Sequence, residues 1–283
     1  MITLILNLAN DLFGLFFPKL CLACGEHLLR GEDTICSICH FHLPKTYFHN
    51  DPDNPLNKVF WGRVNLEGVA SYLYFQKGST VQHLLHLLKY KGKEEIGVRL
   101  GQWYGLDLKF AAPFRDAGLI IPVPLHPAKK RKRGYNQSEA FAEGLASVMT
   151  GRLETRILYR RVNTKTQTRK SRYDRWENVE NIFAVRNPEK LRYQHVLLVD
   201  DVLTTGATLE ACARALLDVP GVKVSVVTIA FASYWSPSAG QHTRFLVPVH
   251  LPVHSKDFRK DHVNPVGSGR PVIECSIPGV KGR

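Results

Sequence analysis

Val196-Leu-Leu-Val-Asp-Asp-Val-Leu-Thr-Thr-Gly-Ala-Thr208 is the stretch from which the rest of the chain can be read. Its opening apolar run, Val196–Val199 after His195, does not alternate with polar residues. That pattern suits a strand buried on both faces of a parallel sheet. The strand delivers Asp200 and Asp201 at its carboxyl end, the edge where open α/β sheets bind ligands. Thr204, Thr205, Gly206, Ala207 and Thr208 then lead into a helix predicted over 207–217. Gly206 allows close approach of the backbone to an anion, and the hydroxyls and free N–H groups can donate to phosphate oxygens. Carboxylates cannot hold that phosphate, so the acidic pair is expected to serve hydroxyls or a metal-bound sugar beside it. A phosphate cradle next to diol-reading acids implies a site for ribose 5-phosphate. The bland alternative is a generic strand–loop–helix with a threonine cap, and the two adjacent acids weigh against it.

Outward from this motif the same architecture repeats. Val222–Ala230 and Gly118–Pro124 read as further buried strands, and Val69–Phe75 alternates as a strand. Thr80–Lys91, with Leu84, Leu85, Leu87 and Leu88 on one face, and Asn136–Met149, with Ala140, Phe141, Leu145 and Val148 inward, read as helices. Strands separated by helices predict an α/β fold with a parallel sheet covered on both faces. Cys212 falls in the helix after the motif and is expected to be core.

Four of the six cysteines lie close together, as Cys21-Leu-Ala-Cys24 and Cys36-Ser-Ile-Cys39. Each C-x-x-C pair presents two thiolates one ligand edge apart, and two pairs close a tetrahedral shell. A full thiolate shell leaves no open position, so structural zinc is expected. Disulfides or a redox C-x-x-C are the alternatives, but no secretory signal accompanies them and a redox site needs only one pair. His40 and His42 are reserve ligands.

The 283 residues carry a net charge of +13, with 44% hydrophobic and 22% charged residues, a globular composition that rules out wholesale disorder. The charge is local. Residues 129–175 hold 14 basic and 4 acidic residues, residues 236–283 hold 7 and 3, and the remainder is close to neutral. No apolar run is long enough for a membrane span. Met1–Phe17 lacks a basic leader and has apolar residues at helical spacing, so an amphipathic helix packed on the main domain is expected. The expected organisation is an amphipathic helix and zinc module over 1–45, a Pro/Asn/Asp-rich linker over 46–63, an α/β domain over 64–235, and an irregular or disordered tail over 236–283.

The 196–208 motif resembles the signature of type I phosphoribosyltransferases, which bind 5-phosphoribosyl 1-diphosphate (PRPP). The paired cysteines, Leu88-Lys-Tyr-Lys-Gly92, Pro122-Val-Pro-Leu-His126, Arg133-Gly-Tyr-Asn-Gln137, Lys165-Thr-Gln167, Arg172 and Arg175-Trp-Glu-Asn178 occur in an order that resembles the ComF/GntX family. In that family a cysteine-rich zinc module precedes a phosphoribosyltransferase-like domain. The resemblance covers about residues 1–235.

This resemblance implies that Asp200 and Asp201 contact the ribose hydroxyls and that Thr204, Thr205, Gly206, Ala207 and Thr208 hold the 5-phosphate. It implies a diphosphate side at Val123, Pro124, Arg133, Gly134, Asn136 and Gln137, with magnesium bound alongside PRPP. Residues 161–175 resemble a mobile loop that closes over the site, with Arg161, Lys165 and Arg172 as its candidate cations. The acceptor for the ribosyl phosphate is not identified by any residue. The implied setting is competence or DNA utilisation in a bacterial cytoplasm, with single-stranded DNA or DNA-uptake proteins as candidate partners. A competing reading makes the chain a non-catalytic nucleic-acid-binding accessory that uses the basic 129–175 block on phosphates.

Overall fold

The computed structural model describes residues 18–161 and 182–232. Seven strands lie among them: β1 (Gly68–Phe75), β2 (Leu119–Pro122), β3 (Arg152–Leu153), β4 (Leu158–Arg160), β5 (Phe183–Val185), β6 (His195–Leu203) and β7 (Lys223–Ala232). Five form one parallel sheet in the order β1-β7-β6-β2-β3, while β4 and β5 form a separate antiparallel pair. The expected parallel α/β sheet is therefore present, with the motif strand at its centre. β6 pairs with β7 from His195↔Lys223 to Leu203↔Phe231, and with β2 from Leu119↔Val196 to Pro122↔Val199. Val196, Leu197, Leu198 and Val199 are each 0% exposed. That burial explains the lack of alternation, because both sheet faces are covered.

Eight α-helices and two short 3-10 turns (Phe48–Asn50 and Pro188–Lys190) accompany these strands among the described residues: α1 (Ser37–Phe41), α2 (Asn57–Phe60), α3 (Thr80–Tyr90), α4 (Glu94–Leu108), α5 (Ala112–Arg115), α6 (Pro127–Arg133), α7 (Gln137–Ala146) and α8 (Ala207–Leu217). Leu84 and Leu88 of α3, Ile96, Leu100 and Leu108 of α4, and Phe141 and Leu145 of α7 share one apolar layer with Leu197 and Val199. On the other face Leu209, Cys212 and Leu216 of α8 pack with Val196 and Leu198. Cys212 is core, as expected.

α4 has no counterpart in the sequence reading, and its glycines explain why. Gly97, Gly101 and Gly105 recur every four residues and lower helix propensity by about 1 kcal/mol each relative to alanine. They let α4 lie directly against α7. A Cβ on Gly101 would collide with the Phe141 carbonyl, and one on Gly144 with the Val98 carbonyl. Close packing of the two backbones accompanies the buried stripe of Ile96, Leu100, Tyr104 and Leu108, and the glycines beside that stripe weaken its helical signal in the sequence.

Residues 46–63, read as a linker from their composition, are packed. Asn54 is 2% exposed, and its Nδ2 donates to the carbonyls of Phe48 (3.2 Å), Asp51 (2.8 Å) and Val69 (2.9 Å). Thr46 N–H donates to the Tyr72 carbonyl (3.0 Å) and Tyr74 N–H to the Pro44 carbonyl (2.9 Å), so this strand of chain covers the free edge of β1. Leu56 and Phe60 are buried against the α8 side of the sheet. The expected helix within 1–17 and the tail at 236–283 lie outside the described residues. Among those described, no helix is long and apolar enough to cross a membrane.

Gly101→Ala gives a direct test of the α4–α7 contact. Alanine would gain about 1 kcal/mol of helix propensity, but overpacking costs about 1–3 kcal/mol. The expected outcome is a lower urea midpoint at unchanged m-value. A raised midpoint would show that the helices do not touch as described.

Candidate functional site

At β2 and β6 the chain leaves neighbouring strands in opposite directions. β2 continues through α6 and α7 to β3 on one side, and β6 continues through α8 to β7 on the other. Divergent connections open a crevice at the carboxyl ends of the strands. A cleft of about 230 Å³ lies there, bounded by Asp200, Asp201 and Thr208 from the β6 side and by Val123, Pro124, Leu125 and His126 after β2. Lys89, Lys129, Arg133, Asn136, Gln137, Ser138 and Arg160 complete it.

Asp200 Oδ1 accepts from the Ser138 hydroxyl and from the Asp201 N–H, both at 2.8 Å. Asp201 Oδ2 pairs with Lys89 Nζ at 2.8 Å. Burial among the strand ends, together with the Asp201 carboxylate beside it, pushes Asp200 up to about 7, against the pull of Ser138, the Asp201 N–H and Lys89. Asp200 keeps intermediate exposure towards the cleft.

The wall after β2 is fixed by backbone. Val123 N–H donates to the Val199 carbonyl at 2.8 Å, and the Val123 carbonyl accepts from Asn136 Nδ2 at 2.9 Å. Asn136 also caps α7 by accepting from Ser138 N–H at 3.3 Å. Arg133 donates to Gln137 Oε1 at 2.6 Å. Gly134, at φ +88°, lines a separate open groove of about 450 Å³ with Leu125, Pro127, Lys130 and Arg131. Lys129, Lys130, Arg131 and Lys132 are exposed on α6, and of these only Lys129 reaches the cleft.

β6 runs on through Asp201 to Leu203, so the turn itself comprises only Thr204, Thr205 and Gly206. Thr204, Thr205, Ala207 and Thr208 are exposed and Gly206 is buried. Gly206 sits at φ +75°, and a Cβ there would come within 2.9 Å of Val59 Cγ1 and 3.1 Å of the Phe60 ring. Arg63 Nη1 donates to the Thr205 carbonyl at 3.2 Å, and Arg63 pairs with Glu210. The segment before the domain is thus the backing of the turn.

Arg161 is exposed just beyond β4, where its N–H donates to the Ile182 carbonyl at 2.8 Å; it does not line the cleft, whereas Arg160 does. Lys165 and Arg172 lie outside the described residues. The cleft also includes Lys89 and Ser138, which the reading of the motif omitted. Lys89 stands in a segment quoted only as a family mark, 88–92, and Ser138 directly follows the 133–137 segment expected on the diphosphate side.

Cys21, Cys24, Cys36 and Cys39 have their sulfurs all within 4.8 Å of one another, and all four are free thiols. Cys24 and Cys36 Sγ are 3.9 Å apart. A tetrahedral thiolate shell with metal–sulfur bonds of about 2.3 Å needs sulfurs about 3.8 Å apart, so the four residues fit a bound metal ion. Cys36 N–H donates to Cys21 Sγ at 3.2 Å and Cys39 N–H to Cys36 Sγ at 3.4 Å, which suits thiolate ligands. His40 and His42 turn elsewhere. His40 stacks on Trp103 at 3.7 Å, and His42 Nδ1 meets the Ile38 carbonyl at 2.8 Å. Cys21, Cys36 and Cys39 join the same apolar layer as α3 and α4, and Asp33 pairs with Arg99 at 2.8 Å.

The phosphoribosyl transferase domain family matches residues 136–244, which places the chain among proteins with that domain. DNA utilization protein YhgH of Escherichia coli O6:H1 is 32% identical over 218 residues, covering 71% of this chain and 91% of that protein. Competence protein F of Haemophilus influenzae is 34% identical over 217 residues, covering 71% and 92%. Competence protein ComFC of Bacillus subtilis is 24% identical over 200 residues, covering 71% and 78%. The chain belongs to the ComF family. A crystal structure of TT1426 from Thermus thermophilus covers 50% of this chain and 85% of that one at 15% identity and a TM-score of 0.29, a likeness too remote to inform the site.

The raised Asp200 gives a pH test with a defined sign. Its folded value, about 7, lies above its ordinary value of 3.8. Between these values the folded chain holds a proton that the unfolded chain has released, so this group's contribution to stability falls as pH rises from about 4 to about 7. Asp200→Asn removes the penalty. Its melting temperature relative to wild type should therefore be more favourable at pH 8 than at pH 5. Equal differences at the two pH values would mean that Asp200 ionises normally.

Proposed function

We propose that the chain binds PRPP and transfers its ribosyl phosphate to a nucleophilic acceptor with release of diphosphate. The observation that carries this reading is the meeting, in one crevice, of Asp200 and Asp201 with Thr208 and the Val123–Pro124 wall. In this reading Asp200 and Asp201 accept from the ribose hydroxyls. The exposed hydroxyls of Thr204, Thr205 and Thr208, with the N–H groups around Gly206 and Ala207, hold the 5-phosphate. Val123, Pro124, Arg133, Gly134, Asn136 and Gln137 form the diphosphate side. Arg161, Lys165 and Arg172 belong to a segment that closes over the ligand and excludes water from an oxocarbenium-like transition state. Magnesium bound with PRPP would supply neutralising charge between diphosphate and sugar. The four-cysteine cluster holds zinc as a structural ion, in a module ending near residue 45 ahead of a transferase domain over 64–235.

The relatives' names, DNA utilization and competence, support a setting in the use of incoming DNA by a bacterial cell, in its cytoplasm. The exposure of Lys129–Lys132 outside the cleft favours a second reading, in which α6 contacts the phosphates of single-stranded DNA.

Calorimetric titration of the full chain with PRPP and magnesium should give saturable binding. Hydrogen bonds to charged groups contribute about 1.5–3 kcal/mol each, so Asp200→Ala with Asp201→Ala should weaken it by about 100-fold or more. Absence of PRPP binding at millimolar concentration, alongside salt-steep DNA binding lost on neutralising Lys129–Arg133, would replace the transferase reading with the second one. Elemental analysis should find about one zinc per chain. Less than about half an equivalent, with the cysteines reduced, rejects the zinc assignment.

A further inference from the structure

Lys89 is the one cation among the described residues that pairs with either acid of the motif. Its Nζ lies 2.8 Å from Asp201 Oδ2, with the two side chains 22% and 19% exposed. The basic helix α6, by contrast, directs Lys130, Arg131 and Lys132 away from the cleft. Lys89 comes from a part of the chain with no excess charge, so composition gives it no prominence.

Its position is fixed by the loop that fixes the diphosphate wall. Lys89 is the penultimate residue of α3, and Leu88 before it is 0% exposed. The Tyr135 hydroxyl donates to the Leu88 carbonyl, an otherwise free acceptor in the last turn of the helix. Arg133 lies over the Tyr90 ring at 5.3 Å. Asn136, which follows Tyr135 in that loop, holds the Val123 carbonyl at 2.9 Å. One short segment therefore sets the end of α3 and the wall after β2 together, and Lys89 lines the same cleft as that wall and the acids.

The chemistry of the bound state makes Lys89 more than an internal counter-ion. Two neighbouring carboxylates repel a phosphorylated ligand, and a sugar hydroxyl donating to Asp201 competes for the lone pairs that Lys89 occupies. An ammonium on a four-carbon stem is a mobile point charge that can turn to a new anion nearby. We propose that Lys89 contacts the diphosphate of the bound sugar phosphate, exchanging its Asp201 partner for it. This role rests on the PRPP reading and adds to Arg133, expected on the diphosphate side, a lysine from the end of α3.

The test compares PRPP with magnesium against ribose 5-phosphate, which shares the sugar hydroxyls and 5-phosphate but has no diphosphate. Binding of both is measured on the full chain by calorimetry. Lys89→Met should weaken PRPP by about tenfold or more, as expected for a lost charge-assisted contact, and leave ribose 5-phosphate within about threefold. Lys89→Arg, which keeps the charge, should recover most of the PRPP affinity. Tyr135→Phe keeps Lys89 but frees the end of α3; it should weaken PRPP selectively and by less, and it provides the comparison if Lys89→Met fails to fold. A parallel loss of both ligands would mean that Lys89 only holds Asp201 in place, and overturns the proposal. No change in either ligand overturns it as well. If wild type binds ribose 5-phosphate but not PRPP, or neither, the transferase reading itself fails and this role with it.

Discussion

The backbone hydrogen bond from Val123 N–H to the Val199 carbonyl, at 2.8 Å, closes the β2–β6 pair at the line where the chain turns away in opposite directions. Without that pairing the crevice has no floor, because the acids at the end of β6 and the wall after β2 would not be held to one register. Hydrophobic burial supplies the force: Ile120, Ile121 and Val196–Val199 are all buried between two helical layers. The site therefore inherits its rigidity from the most buried part of the molecule and its exposure from the place where the sheet connections part. Asn136 extends this arrangement by tying the same wall to the start of α7.

The elements legible in the sequence are those whose own residues carry the signal. β6 and α8 are read from an unbroken apolar run and a helical stripe, and the observed helix Ala207–Leu217 has the predicted limits. Asp200, Asp201 and the threonines stand out because carboxylates and hydroxyls at a strand end have few structural uses. What stayed hidden depends on partners remote in sequence. α4 is held by glycines pressed against α7, an interaction invisible in the composition of either helix. Asn54 reads as a turn former, yet its three hydrogen bonds bury the segment around it. Lys89 gains its importance only because folding brings it to Asp201.

The charge distribution takes on a different meaning once placed in three dimensions. The +13 excess is concentrated in a block that opens with the exposed lysines and arginine of α6, while the cation at the acids comes from a nearly neutral region. The exposed basic charge and the cation paired with the acids thus come from different parts of the chain. An exposed basic rim raises the local concentration of any polyanion and loses that effect in salt. A partly buried pair such as Lys89–Asp201 is screened far less.

Gly206 meets Val59 and Phe60, and Arg63 holds the carbonyl of Thr205. The turn after β6 is therefore supported from behind by residues that precede the first strand of the sheet. A transplantable unit of this fold cannot be cut where the sheet begins, since the cut would remove the surface on which the turn rests. The same contact ties two distant sequence positions sterically: a bulkier residue at 59 or 60 presses on a turn that has no side chain to yield. Inheritance of the turn without its support would preserve the motif and lose its shape.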